Sequence, residues 1–307
     1  AMGHRARQGW VTATYREMLA RIRTAARALI DMGIVPGDTV AIYSLNRPEW
    51  ALVDFAILSV GAVSVPIHAT GTAGQLAYIL RDANVKAVFT DDRERCSCVA
   101  GIDGFQGRIV VFDADAAIDS PRICRFDDLD PSADEGVVDE RLRGGRGGDL
   151  ATVIYTSGTT GEPKGVMLTH HNFAHQIRAV DAAFSLGAED RSLCFLPLSH
   201  VYERAWSYYV FYRGARNYYQ SNPREVLASL REVRPTAMVS VPRLYEKVYS
   251  AVQERLETAP PLRRRLFHWA LSIGAVYEDA RRRGAPAPWL RFGMPRPTGW
   301  YWPRSEA

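Results

Sequence analysis

Short, almost wholly apolar segments alternate with helix-length amphipathic ones along most of this 307-residue chain. That alternation constrains the fold more than any other feature. Residues 39–44, 62–67, 86–90 and 109–112 read as strands, and they carry apolar side chains at consecutive rather than alternating positions. A strand buried on one face alternates polar with apolar; one buried on both does not, and parallel sheets covered by helices are the usual setting for the second kind. The intervening segments fit helical crossovers. Over residues 14–32, Tyr15, Met18, Leu19, Ile22, Ala26, Leu29 and Ile30 recur at helical spacing, with Thr14 placed to cap the start and Gly33 to stop it. Pro48 suits the first turn of a second helix, and residues 75–82 form a third. The pattern predicts parallel β-α-β construction.

Regularity falls between residues 93 and 140, and the run Arg141-Leu-Arg-Gly-Gly-Arg-Gly-Gly-Asp149 then reads as a flexible linker. It is too short and too poor in aromatic residues to predict RNA binding. Alternation resumes beyond it, with strands at 150–156, 192–196, 218–220 and 237–241. Helices are expected at 171–184, 202–212, 224–233, 242–256 and 262–283. The expected organisation is therefore α/β, with one subdomain over 1–148, a second over 149–292 and an atypical tail at 293–307. Nine arginines and three acids from Pro261 onward give a local charge of +6, so the overall +4 leaves residues 1–260 at −2. The basic balance belongs to the end of the chain and predicts no nucleic-acid partner. Four cysteines, without a second metal-spaced pair beside Cys96-x-Cys98, predict free thiols in a reducing compartment. The longest apolar run, 50–67, is interrupted by Asp54 and falls short of the ~20 residues that span a bilayer. A cytoplasmic protein is expected.

The chemistry-bearing stretch follows the strand at 150–156: Thr156-Ser157-Gly158-Thr159-Thr160-Gly161-Glu162-Pro163-Lys164-Gly165. Glycines let a backbone turn sharply and bring N–H groups against an anion without a Cβ in the way. Hydroxyls add donors, and Lys164 supplies a point charge suited to a polyphosphate. The lysine follows Gly161 by three residues, so the pattern is not that of P-loop kinases and GTPases.

This decapeptide resembles the AMP-binding signature of adenylate-forming enzymes. Two further stretches, Phe195-Leu-Pro-Leu-Ser-His200-Val-Tyr-Glu-Arg204 and Val241-Pro-Arg-Leu-Tyr-Glu-Lys247, are similar to the long-chain fatty-acid–CoA ligase branch, as are Asn46-Arg47-Pro48-Glu49-Trp50 and Gly61-Ala-Val-Ser-Val-Pro66. The resemblance covers residues 10–292. It implies the two β-α-β subdomains of the family's N-terminal domain, incomplete, with the C-terminal domain absent. It also implies two half-reactions. A fatty-acid carboxylate attacks the α-phosphate of ATP to give acyl-adenylate and pyrophosphate, and the thiolate of coenzyme A then displaces AMP. By motif match, Thr156, Ser157, Gly158, Thr159, Thr160, Gly161, Lys164 and Gly165 would hold the β- and γ-phosphates, with the Thr156 hydroxyl in the Mg2+ shell. His200 would be the catalytic residue at the floor of the acyl pocket, and Trp206 and Tyr209 would line or gate the acyl tunnel. An acyl substrate implies transient membrane contact.

The family's adenine loop, its ribose aspartate and its C-terminal lysine have no counterpart here, so the resemblance implies half of an ATP site and little or no turnover. The tail holds three prolines and no helical period. Its codons, read in another frame, can encode a helix of the kind long-chain relatives carry there. A change of reading frame near Phe292 is therefore expected. A non-catalytic nucleotide-binding remnant and an adenylate-forming ligase for another carboxylate are the alternatives.

Overall fold

The computed structural model describes residues 1–6, 9–113, 115, 119–156 and 162–283. In chain order the strands are β1 (Met2–Ala6), β2 (Gly9–Ala13), β3 (Thr39–Tyr43), β4 (Val63–Ile67), β5 (Ala87–Thr90), β6 (Arg108–Val111), β7 (Ile123–Arg125), β8 (Leu150–Thr156), β9 (Lys164–Thr169), β10 (Arg191–Cys194) and β11 (Arg216–Tyr219). The helices are α1 (Tyr15–Asp31), α2 (Pro48–Ser59), α3 (Ala73–Asp82), α4 (Arg93–Ala100), α5 (Glu135–Gly144), α6 (His170–Ala183), α7 (Val201–Tyr212), α8 (Val226–Val233), α9 (Pro242–Glu257) and α10 (Pro261–Arg282).

The larger sheet runs β7-β6-β5-β3-β4-β8-β9, parallel throughout except for the edge strand β9. Period-two alternation in β3 shows how both its faces are buried. Val40 and Ile42 join one core with Leu29 of α1 and Trp50 and Ile57 of α2. Ala41 and Tyr43 join another with Leu76 and Ile79 of α3 and Val99 of α4. Helices therefore cover each side, as the continuous apolar strands require. A capping box at Thr14 and Glu17 starts α1, satisfying backbone donors that the helix leaves open.

A second sheet has the order β10-β11-β1-β2. Its strands β1 and β2 pair antiparallel, which the sequence does not predict, because Met2–Ala6 carries no apolar stripe and its parallel partner, β11, lies over two hundred residues away. Tyr218 lies against Gly3, where an added Cβ would come within 2.6 Å of the ring. Conversely, residues 237–241 form no strand. The Thr236 and Ala237 N–H groups reach the Arg191 carbonyl, the Thr236 hydroxyl accepts from the Arg191 N–H, and no ladder follows.

The division expected at 148/149 also needs correction. Strands β8 and β9, beyond the supposed linker, complete the sheet begun by β3 to β7, and residues 141–144 close helix α5 rather than a loop. By contact the chain separates instead into Ala1–Val239 and a unit beginning at Ser240. The described part of that second unit is α9 and α10, which present Tyr245, Tyr249, Leu262 and Trp269 to solvent. No helix among the described residues is long and apolar enough to cross a membrane. The expected frame change falls on residues 293–307, outside the described residues.

Candidate functional site

In open parallel sheets, ligands bind beyond the carboxyl ends of the strands, where successive connections leave in opposite directions. Here β4 and β5 flank β3 on opposite sides, and four segments gather at that rim: the turn after β3, His68 after β4, Asp91 after β5, and Thr156 at the end of β8.

Thr156 and Lys164 are cross-strand partners in the antiparallel β8–β9 pair and bracket the segment between them. Both are exposed. Ser157, Gly158, Thr159, Thr160 and Gly161 lie outside the described residues. The sequence reading placed Lys164 and Gly165 in the loop; the structure places both on β9, because Val166, Met167 and Leu168 are strand-forming and extend the apolar pairing of β8. Gly165 has a packing reason to be glycine. A Cβ there would lie 2.7 Å from Val153 Cγ1 and 3.3 Å from the Tyr155 ring.

His200 is the N-cap residue of α7 and is exposed. The segment leading to it is held by Asn46, from the turn after β3. Asn46 Nδ2 donates to the Leu196 carbonyl at 2.7 Å, and its Oδ1 accepts from the Leu198 N–H at 3.0 Å. From the far side Glu203, fully buried on α7, accepts the Leu196 N–H at 3.2 Å. Burial outweighs that hydrogen bond and pushes the Glu203 carboxyl up to about 8. The His200 ring lies 5.5 Å from that of His68, centroid to centroid, at a 57° tilt.

One turn into α7, Arg204 is fully buried. Its Nε and Nη2 grip the two oxygens of Asp54 on α2 at 2.9 and 2.5 Å, its Nη1 donates to Thr152 Oγ1 at 2.7 Å, and its Nε also reaches the Tyr208 hydroxyl at 3.0 Å. Ser64 Oγ and the Tyr208 hydroxyl donate to Asp54 as well. Ser64 and Thr152 are register partners between β4 and β8. The network therefore ties the helix capped by His200 to the strand that enters the glycine-rich loop.

Trp206 borders a cavity of about 340 Å3, together with Phe173, Val201 and Tyr202, while its indole N–H donates to Ser192 Oγ at 2.9 Å. Tyr209 does not border it. Its ring is fully buried against Trp206, and its hydroxyl donates to the Phe184 carbonyl at 2.7 Å. The expectation that Tyr209 lines a tunnel therefore gives way to a core position. Residues 206 and 209 share a face of α7 and both rings pack into one core cluster, but of the two Trp206 alone reaches the cavity. Among the described residues no group of three or more His, Cys, Asp or Glu side chains is placed to hold a metal ion by itself.

A parallel sheet flanked by helices, with a glycine- and hydroxyl-rich sequence following the carboxyl end of one strand, defines an α/β architecture of the kind that binds phosphate groups. The profile of the AMP-binding enzyme family matches residues 2–283, and the chain belongs to that family. It is 36% identical over 284 residues to the long-chain-fatty-acid–CoA ligase FadD15 of Mycobacterium tuberculosis, covering 92% of this chain and 47% of that protein. It is 33% identical over 270 residues to the peroxisomal long chain acyl-CoA synthetase 6 of Arabidopsis thaliana, covering 84% of this chain and 38% of that one. The chain thus spans about half the length, or less, of the curated relatives it matches. Among solved structures, a putative long-chain-fatty-acid CoA ligase from Rhodopseudomonas palustris superposes with a TM-score of 0.66 at 25% identity, over 79% of this chain and 59% of that one. VinN superposes with a TM-score of 0.65 at 21% identity, over 85% and 61%, a likeness of fold.

Proposed function

We propose that this chain carries the phosphate-binding and acyl-entry portion of a long-chain fatty-acid–CoA ligase, an enzyme that activates a fatty acid with ATP and passes the acyl group to coenzyme A. The observation that carries the reading is the convergence, at one rim of the parallel sheet, of the Thr156/Lys164 bracket and the Asn46-anchored segment that presents His200. Chemistry of this class depends on positioning and charge neutralisation more than on a protein nucleophile. Lys164, exposed on β9, would counter the charge of the β- and γ-phosphates, with the hydroxyls and backbone N–H groups of residues 156–161 as donors. His200 would face the carboxyl end of the acyl substrate, and the cavity beside Trp206, near the lower end of the ~300–1,000 Å3 typical of ligand sites, would receive the start of the chain.

Magnesium fits as a nucleotide-borne ion. Mg2+ takes oxygen ligands and is commonly held by few protein groups plus substrate phosphates and water. The exposed Thr156 hydroxyl offers one such oxygen, without a carboxylate cluster beside it. When bound, the ion would offset phosphate charge. A cytoplasmic location and transient contact with a membrane during fatty-acid capture belong to the same reading.

The test is calorimetric binding of Mg·ATP to the full 307-residue chain, alongside release of pyrophosphate on adding a long-chain fatty acid, with and without coenzyme A. Nucleotide binding that weakens at least tenfold in Lys164→Ala is expected, with pyrophosphate release far below that of a relative of full length. Binding unaffected by Lys164→Ala would overturn the assignment of the loop.

A further inference from the structure

The amino ends of the large sheet, at the edge opposite the rim just described, open onto a cavity of about 920 Å3 that no sequence motif marks. Its wall carries four cations, Arg81, Lys86, Arg108 and Arg122, against two carboxylates, Asp38 and Asp103. Three of the cations are gathered by the topology. Lys86 precedes β5, Arg108 begins β6 and Arg122 precedes β7, and these strands are neighbours. The Arg108 N–H donates to the Lys86 carbonyl at 3.2 Å, and the Ile109 N–H to the Arg122 carbonyl at 2.9 Å. Parallel pairing thus sets the three backbones side by side, at about the 4.8 Å spacing of strands. Gly107 lets the turn before β6 close on Lys86, since a Cβ there would collide with the Lys86 carbonyl oxygen. Two guanidinium groups are held in place. Arg108 Nη1 donates to the Pro121 carbonyl and Arg122 Nη1 to the Phe105 carbonyl, each at 2.7 Å. The rest of the wall includes Ile34, Leu80, Val85 and Phe105, all buried.

Cations at such an edge have an ordinary use. Helices α1, α3 and α4 end in the turns beside this cavity, and a cation near a helix carboxyl end offsets its dipole. That accounts for Arg81, in the last turn of α3. Lys86, Arg108 and Arg122 belong to no helix, and none of the three has an ion-pair partner among the described residues. Of the two carboxylates, Asp38 already accepts the Val35 N–H at 2.9 Å.

We infer that this cavity is a second ligand site, for an organic phosphate. Guanidinium groups match phosphate oxygens in pairs, and an ammonium adds a point charge. The volume lies at the upper end of the ~300–1,000 Å3 typical of ligand sites, far more than a phosphate ion fills, and the buried apolar side chains suit a base or an alkyl group. Two guanidinium groups fixed in advance lower the ordering cost of binding. That chemistry has two sources, a free nucleotide or coenzyme A. Because the cavity lies at the edge of the sheet away from Thr156, the assignment does not rest on the function proposed above.

The full chain, labelled with 15N, is titrated separately with Mg·ADP, coenzyme A and inorganic pyrophosphate while its amide resonances are followed. Saturable shifts at Gly104, Gly107 and Arg108 are expected with Mg·ADP or coenzyme A, and the probe that binds more tightly names the source. Lys86→Gln combined with Arg108→Gln should weaken that probe about tenfold or more, since each change removes a charge-assisted contact. Pyrophosphate, which leaves the apolar wall uncovered, should bind at least about fivefold more weakly than that probe. The shifts in the unsubstituted chain need no variant and stand as the test if the double substitution prevents folding. No shift at these three amides with any probe would overturn the proposal. So would an affinity unchanged in the folded double variant, or pyrophosphate binding as tightly as both organic probes. Shifts confined to residues near Thr156 would also overturn it and leave the reading of the phosphate loop standing.

Discussion

The buried Asp54–Arg204 pair permits an asymmetric prediction. Both side chains have no solvent exposure, and each is also bonded to uncharged partners: Arg204 to Thr152 and Tyr208, Asp54 to Ser64 and Tyr208. Taking charges out of water is costly, so the pair as a whole adds little over apolar residues of similar volume, but removing one partner strands the other. The two stranded groups are not equivalent. A guanidinium cannot shed its proton under physiological conditions, whereas a carboxylate can take one up and become neutral. Asp54→Leu, which leaves an obligatory cation buried, should cost about 3–5 kcal/mol. For a unit the size of Ala1–Val239 that lowers Tm by roughly 10 °C.

Arg204→Met should cost less, and its cost should depend on pH. In that variant Asp54 has lost its cation, and burying a carboxyl without one favours its neutral form. A raised carboxyl pKa means the folded state binds more protons, so stability is greatest below the unfolded pKa and falls as pH rises, by up to about 1.4 kcal/mol per unit until the raised pKa is reached. Replacing the set together (Asp54→Leu, Arg204→Met, Tyr208→Phe) should cost less than Asp54→Leu alone, since no buried charge remains and Thr152 keeps its bond to the Ser64 carbonyl at 2.6 Å. Urea unfolding followed by near-ultraviolet circular dichroism at pH 5, 6, 7 and 8 measures all three. Equal costs for the two single changes, or a flat pH profile for Arg204→Met, would refute the reasoning.

Glu203→Gln should be stabilising at neutral pH and above. The folded-state value near 8, against an ordinary 4.5, means the wild-type chain loses stability relative to the variant by about 1.4 kcal/mol per unit as pH rises between those values; urea midpoints of the two proteins that stay parallel from pH 5 to 8 would contradict this. Gly165→Ala should destabilise by about 1–3 kcal/mol through overpacking, since its Cβ would meet Val153 Cγ1 at 2.7 Å; Val153→Ala in the same chain should recover part of the loss in thermal melts. Asn46→Ala removes both hydrogen bonds to the segment before His200 and should cost about 1–3 kcal/mol. Faster amide exchange at Leu198 is its direct signature, and exchange unchanged from wild type would count against the clamp.

What the sequence revealed and what it hid follow from how far apart the interacting residues lie. Helix α1 was readable from Thr14 onward because a cap and a 3.6-residue stripe are local properties. The parallel sheet was readable because burial on both faces leaves a mark inside each strand. The glycine- and hydroxyl-rich run after Thr156 stands out because it is contiguous in the sequence. The misses share the opposite trait. Strand β1 is paired with β11, and nothing in Met2–Ala6 announces a partner so distant. The linker at 141–149 looked like a boundary by composition, yet β4 reaches across it to β8 through the Ser64–Thr152 register. Tyr209 had the spacing of a lining residue, but which face of α7 meets the core depends on what packs there.

Asp54 illustrates the same limit with a functional consequence. In the sequence it is merely the charge that breaks an apolar run; in the fold it is the counter-ion of Arg204, 150 residues later. Asn46 is likewise joined to Leu196 across 150 residues, and His68 meets His200 only because β4 and the segment before α7 end at one rim. The glycine- and hydroxyl-rich run after Thr156 is visible in the sequence alone. Where α7 and the His200 at its start stand in the fold is set by Asn46, Asp54 and Arg204, none of which belongs to that run. On this account Arg204→Met should disturb the His68–His200 pair as well as stability, because α7 carries His200 at its start and loses its anchor to β8. The pair of imidazole resonances gives a direct reading: the His68 and His200 signals should shift in Arg204→Met under conditions where the protein remains folded, and signals identical to wild type would separate the network from the site.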